Sequence, residues 1–179
     1  MPIRFDLITI DVVEPRLTAA AVMAEHPEMR IELDEDDGRW LVLASTIDAR
    51  RFGLQRSDAR EIEVRSGSID DVLDGCMTLP VPDAALVGAF FDAATELVFH
   101  ESQLESNGVP VLTLRVSPLE RSNLHLDLAC DPAEFDMELE RLLDSGATRI
   151  GPRQSAHWGE SQIFASPGGN LFCLNAYVE

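Results

Sequence analysis

Residues 124–130 alternate between ionisable or small positions and apolar positions. His125, Asp127 and Ala129 share one face, because successive side chains of a strand point to opposite sides. The other face is apolar and carries Leu124, Leu126, Leu128 and Cys130. The pattern predicts a β-strand with ionisable groups on one side.

The residues that follow predict a helix. Asp131 is a suitable N-cap, Pro132 fits the first helical position, and Glu134 can accept from the free amides of the first turn. Gly146 can adopt the left-handed conformation that ends a helix. Between them, apolar residues with helical spacing form one stripe: Phe135, Leu139, Leu142 and Leu143.

Three strands are predicted after this helix, over residues 148–153, 160–165 and 171–178. The sequence Pro167-Gly168-Gly169-Asn170 joins the last two as a turn. The last third of the chain therefore reads as one βαβββ unit.

The same outline occurs at the beginning of the chain, over residues 3–57. A strand precedes a helix that Glu14 caps and that His26-Pro27 terminates. Three further strands follow, at residues 29–33, 40–45 and 51–56.

A third copy lies between the other two, and it begins with a strand over residues 75–81. Asp83 caps its helix, which carries apolar residues up to Ala94. Only two further strands are predicted, at residues 98–102 and 111–116, around the turn Asn107-Gly108. This copy is therefore expected to be one strand short.

Two strings resemble the second half of a glyoxalase-like domain of the vicinal oxygen chelate superfamily. They are Asn123-Leu124-His125-Leu126-Asp127-Leu128-Ala129 and Ser166-Pro167-Gly168-Gly169-Asn170-Leu171-Phe172-Cys173-Leu174. The resemblance implies an α+β fold in which two βαβββ modules build one cup-shaped mixed sheet, with the helices outside. This chain has three modules rather than two.

Two pairings of the modules are open. In the first, which we favour, modules 72–121 and 122–179 form the glyoxalase-like domain, 58–71 is a linker, and 1–57 is an N-terminal half-module. In the second, the first and third modules pair, and residues 58–121 or so are an insertion.

The resemblance also implies where a divalent metal would be bound. His125 matches one ligand, but Met77, or Ile8 in the second pairing, stands where another is expected, and Cys173 replaces a glutamate. Because a single histidine is too few ligands for such an ion, we expect no metal and no cofactor. A weakly held ion completed by Cys173 is the alternative.

The candidate ligand-binding residues of the cup are Met77, His125, Asp127, Trp158 and Cys173. His125 and Asp127 are also candidate catalytic residues, because a carboxylate beside an imidazole forms an acid–base pair. The competing interpretations are a structural pair for these two, an inert buried thiol for Cys173, and a solvent-facing loop for Trp158.

The composition narrows the choice of partners. Asp and Glu number 32 against 14 basic residues, all arginine, and the formal charge is −18. Such a surface repels nucleic acids and anionic lipids, and the absence of lysine excludes Schiff-base and phosphate-loop chemistry. The arginine-only usage suggests a GC-rich bacterial genome, and an acidic surface suited to high salt is the alternative. No signal peptide or membrane span is apparent, so a cytoplasmic protein is expected, and surplus module edges favour a homodimer.

Two functions follow from the resemblance. The first is binding of a small organic molecule in a metal-free cup, of the drug-sequestering or resistance type. The second is an enzyme, a lyase, isomerase or cyclase, that uses His125 and Asp127 for proton transfer with or without a weakly held divalent metal.

Overall fold

The computed structural model describes residues 3–35, 38–48, 50–56, 77–117 and 124–178. The chain divides into two compact units, one of Leu7–Gly75 and one of Met1–Asp6 with Cys76–Glu179. The predicted linker at 58–71 and Cys76 lie outside the described residues. The fold is mixed α+β.

The unit Leu7–Gly75 has the predicted βαβββ outline. Its elements are β1 (Arg4–Val12), whose first three residues belong to the other unit, α1 (Pro15–Glu25), β2 (Met29–Asp34), β3 (Trp40–Ser45) and β4 (Arg51–Arg56). The strand order is β1-β4-β3-β2, with β1 parallel to β4 and the other pairs antiparallel.

One detail of this unit differs from the sequence-based prediction. Glu14 occupies the N-cap position of α1 but makes no side-chain cap hydrogen bond. Its carboxylate instead accepts from Arg56 Nη2 at 3.1 Å. The expected cap was wrong because an arginine on β4 offers a full charge, which a single helix-start amide does not.

The second module opens the larger unit. Its elements are β5 (Thr78–Val81), α2 (Ala84–Ala94), β6 (Val98–His100), β7 (Gln103–Ser106) and β8 (Val109–Val116), in the sheet order β5-β8-β7-β6. Asp83 caps α2 as predicted, because its carboxylate accepts from Leu86 N at 3.0 Å.

The expectation that this module lacks a strand was wrong. Glu101, with a φ of 56°, turns the chain between β6 and β7, so the region read as one strand is a short strand followed by a turn. β7 escaped notice because it buries only Leu104 between polar neighbours, which leaves too little alternation to detect.

The third module contains β9 (Leu124–Ala129), a short 3-10 turn (Pro132–Glu134), α3 (Phe135–Asp144), β10 (Thr148–Ala156), β11 (Gly159–Ala165) and β12 (Leu171–Tyr177). Its sheet order is β10-β11-β12-β9. Asp131 is a cap as predicted, because it accepts from Ala133 N at 2.8 Å, but it caps the 3-10 turn, and the α-helix itself begins later, at Phe135. The predicted end is confirmed, because Gly146 has a φ of 101°.

The second and third modules share a core within their unit. Phe90 and Phe91 of α2 pack on Phe172 of β12, with ring centroids 5.6 and 5.4 Å from its ring. Asn170 Nδ2 also donates to Pro80 O at 3.0 Å. This packing covers one face of β12 and leaves the chemistry of the module to the opposite face. None of the described helices is long and apolar enough to cross a membrane.

Candidate functional site

The candidate site is built on the pairing of two parallel strands, β9 and β12. Asp127 and Cys173 are partners in this pairing, so their side chains point to the same side of the sheet. His125 lies two residues before Asp127 and therefore shares that face. The ionisable face that the sequence predicts for β9 thus lies beside Cys173 of β12.

The three side chains form a compact group of potential donors. One imidazole nitrogen, one carboxylate oxygen and the sulfur all lie within 4.8 Å of one another, and His125 Nε2 is 3.9 Å from Asp127 Oδ1. The residues are only 8%, 4% and 9% exposed, respectively. An imidazole, a carboxylate and a thiol are therefore concentrated in a largely buried place.

Two further buried polar residues lie on this face. Asn175, two positions after Cys173, donates from Nδ2 to Asp127 Oδ1 at 3.3 Å, and Ser161 of β11 is paired with Asn175. Both are buried. The sequence interpretation overlooked them, although a period of two from Cys173 would have indicated Asn175 once β12 was read as a strand.

We call His125, Asp127, Ser161, Cys173 and Asn175 the polar face. On the other side of the same strands lie apolar residues such as Leu126 and Phe172, which are themselves register partners. Ionisable groups are costly to bury singly, and their segregation on one face lets each have polar neighbours.

The two remaining predicted ligand-binding residues come from other parts of the chain than β9 and β12. Met77 directly precedes β5 and is half-buried, and its carbonyl accepts from Thr113 N at 2.8 Å. Trp158 lies in the turn between β10 and β11, with its ring 6.0 Å from that of Tyr177. Their part in ligand binding stays a prediction.

The other described cysteine illustrates the opposite environment. Cys130, just after β9, is 3% exposed. Burial, reinforced by the nearby carboxylates of Glu138 and Glu134, raises the pKa of its thiol to about 11. At neutral pH it is a small hydrophobic side chain and not a nucleophile.

The donor chemistry of the polar face fits a divalent ion better than the family positions alone suggest. Donors bound to one zinc ion at 2.0–2.3 Å lie roughly 3.3–3.8 Å apart. The three donor atoms here lie within 4.8 Å of each other, so a shift of about 1 Å would bring them together. The sequence-based count gave one ligand, His125. The number of potential ligands is three, because Asp127 adds an oxygen donor and the Cys173 sulfur can itself bind a metal.

Comparison with known proteins agrees with this architecture. Residues 76–175, more than half of the chain, match the model of a family described as the glyoxalase-like domain. No curated protein matches the sequence at a significant level.

Several solved structures are similar in fold. The genomically encoded fosfomycin resistance protein FosX from Listeria monocytogenes, in complex with Mn(II) and a sulfate ion, is 22% identical. The match covers 57% of this chain and 87% of that one, with a TM-score of 0.47. A glyoxalase/bleomycin resistance protein/dioxygenase family enzyme from Burkholderia phytofirmans is 14% identical over 57% and 96%, with a TM-score of 0.45.

A third structure is similar along almost the entire chain. It is described as the NAD-dependent benzaldehyde dehydrogenase from Legionella pneumophila, and it is 10% identical, with a TM-score of 0.51. The match covers 96% of this chain and 98% of that one. At this identity the likeness is one of fold alone.

Proposed function

We propose that this chain, which belongs to the glyoxalase-like domain family, binds a small organic molecule against the polar face. The observation that carries the proposal is the buried group of His125, Asp127 and Cys173 on two paired strands. The resemblance to drug-sequestering members of the superfamily puts this function among those the fold supports.

Burial of an ionisable side chain costs free energy that an apolar residue in the same place would not cost. Asp127 is 4% exposed, and it accepts a hydrogen bond from Asn175 Nδ2 at 3.3 Å. A buried group of ionisable side chains is therefore a candidate for binding or chemistry.

The charge of the chain favours one class of ligand. With a formal charge of −18, the protein attracts cations and repels anions over several ångströms at low salt. A small organic cation that can hydrogen-bond to the Asp127 carboxylate and the Asn175 amide fits both the field and the site.

Binding is tested with two probes of opposite charge, cationic bleomycin and anionic fosfomycin, on protein freed of metal with a chelator. Isothermal titration at low salt is expected to show one bleomycin site and weaker or no fosfomycin binding. Asp127→Asn and His125→Ala should weaken the bleomycin site, whereas His100→Ala, at an exposed position of β6, should leave it unchanged. Failure of the cation to bind, or binding unaltered in the double variant at 125 and 127, would overturn the proposal.

A second function, proton transfer, is favoured by the proximity of two titratable groups. His125 Nε2 lies 3.9 Å from Asp127 Oδ1, so two side chains that can accept or donate a proton stand side by side. A lyase, isomerase or cyclase would use this pair to take a proton from a carbon acid and return it. Incubation of small carbonyl compounds in D₂O, followed by NMR, would show exchange of the acidic C–H that Asp127→Asn abolishes, whereas absence of exchange would count against an enzyme.

The donor set alters the expectation of a metal-free cup. That expectation counted ligands only at the family's positions, whereas the fold also brings Asp127 to the group. A divalent ion held there would polarise an oxygen of a bound molecule.

Three expectations from the sequence stay predictions. They are the domain boundaries at 58–71 and 72–179, the homodimer and the cytoplasmic location.

A further inference from the structure

We infer that the polar face is a metal site selective for thiophilic divalent ions, in which His125, Asp127 and Cys173 supply the nitrogen, oxygen and sulfur ligands. The inference rests on the proposed function only in sharing its site, because it requires no organic ligand. Zinc, cobalt(II) and cadmium are the ions of this class that the set would accept.

The three donors are held in place by two paired strands. Asp127 and Cys173 are register partners on β9 and β12, so the two donors are fixed by backbone pairing and not by flexible loops. His125 comes from the same strand as Asp127, with 3.9 Å between the nearest nitrogen and oxygen. Ligands on adjacent strands lose little conformational entropy when a metal draws them together.

The identity of the third donor decides the selectivity. Thiolate prefers soft and borderline ions, whereas carboxylate and water suit manganese and magnesium. The resemblance puts a glutamate at the position of Cys173, and the change to sulfur should therefore shift the preference from manganese to zinc. Three protein ligands also leave a coordination position for a bound molecule, as in catalytic zinc sites.

The surroundings are those of a supported site. Asn175 Nδ2 donates to Asp127 Oδ1 at 3.3 Å and orients the carboxylate, which is the usual role of a residue around the ligands. The three ligands are at most 9% exposed, and such burial limits competition from water. The hydrogen bond to a ligand and the burial together distinguish this group from a single cysteine or a cluster of acids on the surface.

The test is a titration of chelator-treated full-length protein with Co²⁺ alone, followed by absorption spectroscopy. One equivalent should bind and give a thiolate-to-cobalt charge-transfer band in the near ultraviolet, and Zn²⁺ should displace it while Mn²⁺ at the same concentration does not. Cys173→Ser should remove the band and lower the affinity at least about 100-fold, because even residues outside the ligand shell cost 10–100-fold. Asn175→Ala should cost about 10-fold.

The controls keep the result unambiguous. Cys130→Ser and Cys76→Ser should retain the band, and circular dichroism reports whether each variant folds. Because the band of the wild-type protein by itself reports sulfur ligation, the outcome does not depend on any variant. Absence of stoichiometric binding, a band that survives in Cys173→Ser, or equal affinity for Mn²⁺ and Zn²⁺ would overturn the inference. None of these results would alter the bleomycin experiment, which is performed without metal.

Discussion

Asp127 and Cys173 face each other across the parallel pairing of β9 and β12, although they lie far apart in the sequence. Each is ordinary alone: an acid on a strand and a thiol in an apolar run. Their pairing, with His125 beside them, converts the strand pattern into a group of donors within 4.8 Å. The candidate site therefore depends on strand register.

Asn175→Ala is expected to destabilise the protein as well as loosen the site. The variant removes the hydrogen bond to the buried Asp127 carboxylate, and loss of such a bond to a charged group costs about 1–3 kcal/mol. Urea unfolding followed by circular dichroism measures the free energy of unfolding. Ser155→Ala, at an exposed position of β10, is the control and should change it by less than about 0.5 kcal/mol. Equal stability of the two variants would contradict the described role of Asn175.

Phe172→Ala is expected to cost about 3–5 kcal/mol, since Phe172 is fully buried and its ring contacts those of Phe90, Phe91 and Phe164. The same substitution at the adjacent Leu171, which is 45% exposed, should cost much less. Thermal and urea unfolding compare the two variants. Similar losses for both would mean that α2 does not pack on β12 as described.

Gly159→Ala is expected to be far more damaging than Gly108→Ala. Both glycines have positive φ, 138° and 74° respectively, but a methyl group at Gly159 would overlap the carbonyl oxygen of Ala176, whereas the space around Gly108 is open. Backbone strain alone costs on the order of 1–3 kcal/mol, and the overlap at Gly159 adds displacement of β12. Soluble yield and unfolding midpoints distinguish the two, and a tolerated Gly159→Ala would argue against the β11–β12 register.

The raised pKa of Cys130 predicts both reactivity and pH-dependent stability. With a thiol pKa of about 11 when folded and 9.0 as reference, the folded state favours the neutral form. That contribution is full below pH 9 and is lost as the pH rises to 11, by about 2 kcal/mol. Urea unfolding at several pH values should show this fall, and Cys130→Ala should remove it from the difference between the two proteins.

The alkylation of Cys130 provides an independent check on the same environment. Iodoacetamide at pH 8 should leave Cys130 unmodified in the folded protein and label it after denaturation, as peptide mass spectrometry would show. Rapid labelling of Cys130 in the folded state at pH 8 would contradict its burial.

Local signals along the chain were enough for most of the elements. The alternation at 124–130, the cap Asp131 and the left-handed Gly146 each express an interaction between residues close in sequence, and all three are present in the structure. The prediction failed where the hydrophobic pattern was weak or where another interaction competed for the residue. The strand Gln103–Ser106 buries only Leu104, and Glu14 pairs with Arg56 of β4 instead of capping its helix.

The sequence by itself determined the βαβββ outline of the first and third modules, the acidic, lysine-free character of the chain, and the presence of His125 and Asp127 on one strand face. The resemblance named Cys173 as a residue of the same cup, but only the tertiary structure showed that it pairs with Asp127 and that Asn175 joins the group. The reason is that the register of two strands is set by packing on both faces of the sheet and not by spacing along the chain. Met77 was named from the resemblance and Trp158 from its loop before a strand, and the part of both in ligand binding stays a prediction. The side chains that carry the proposed chemistry can thus be identified one by one in the sequence, but they come together only through the pairing of β9 with β12.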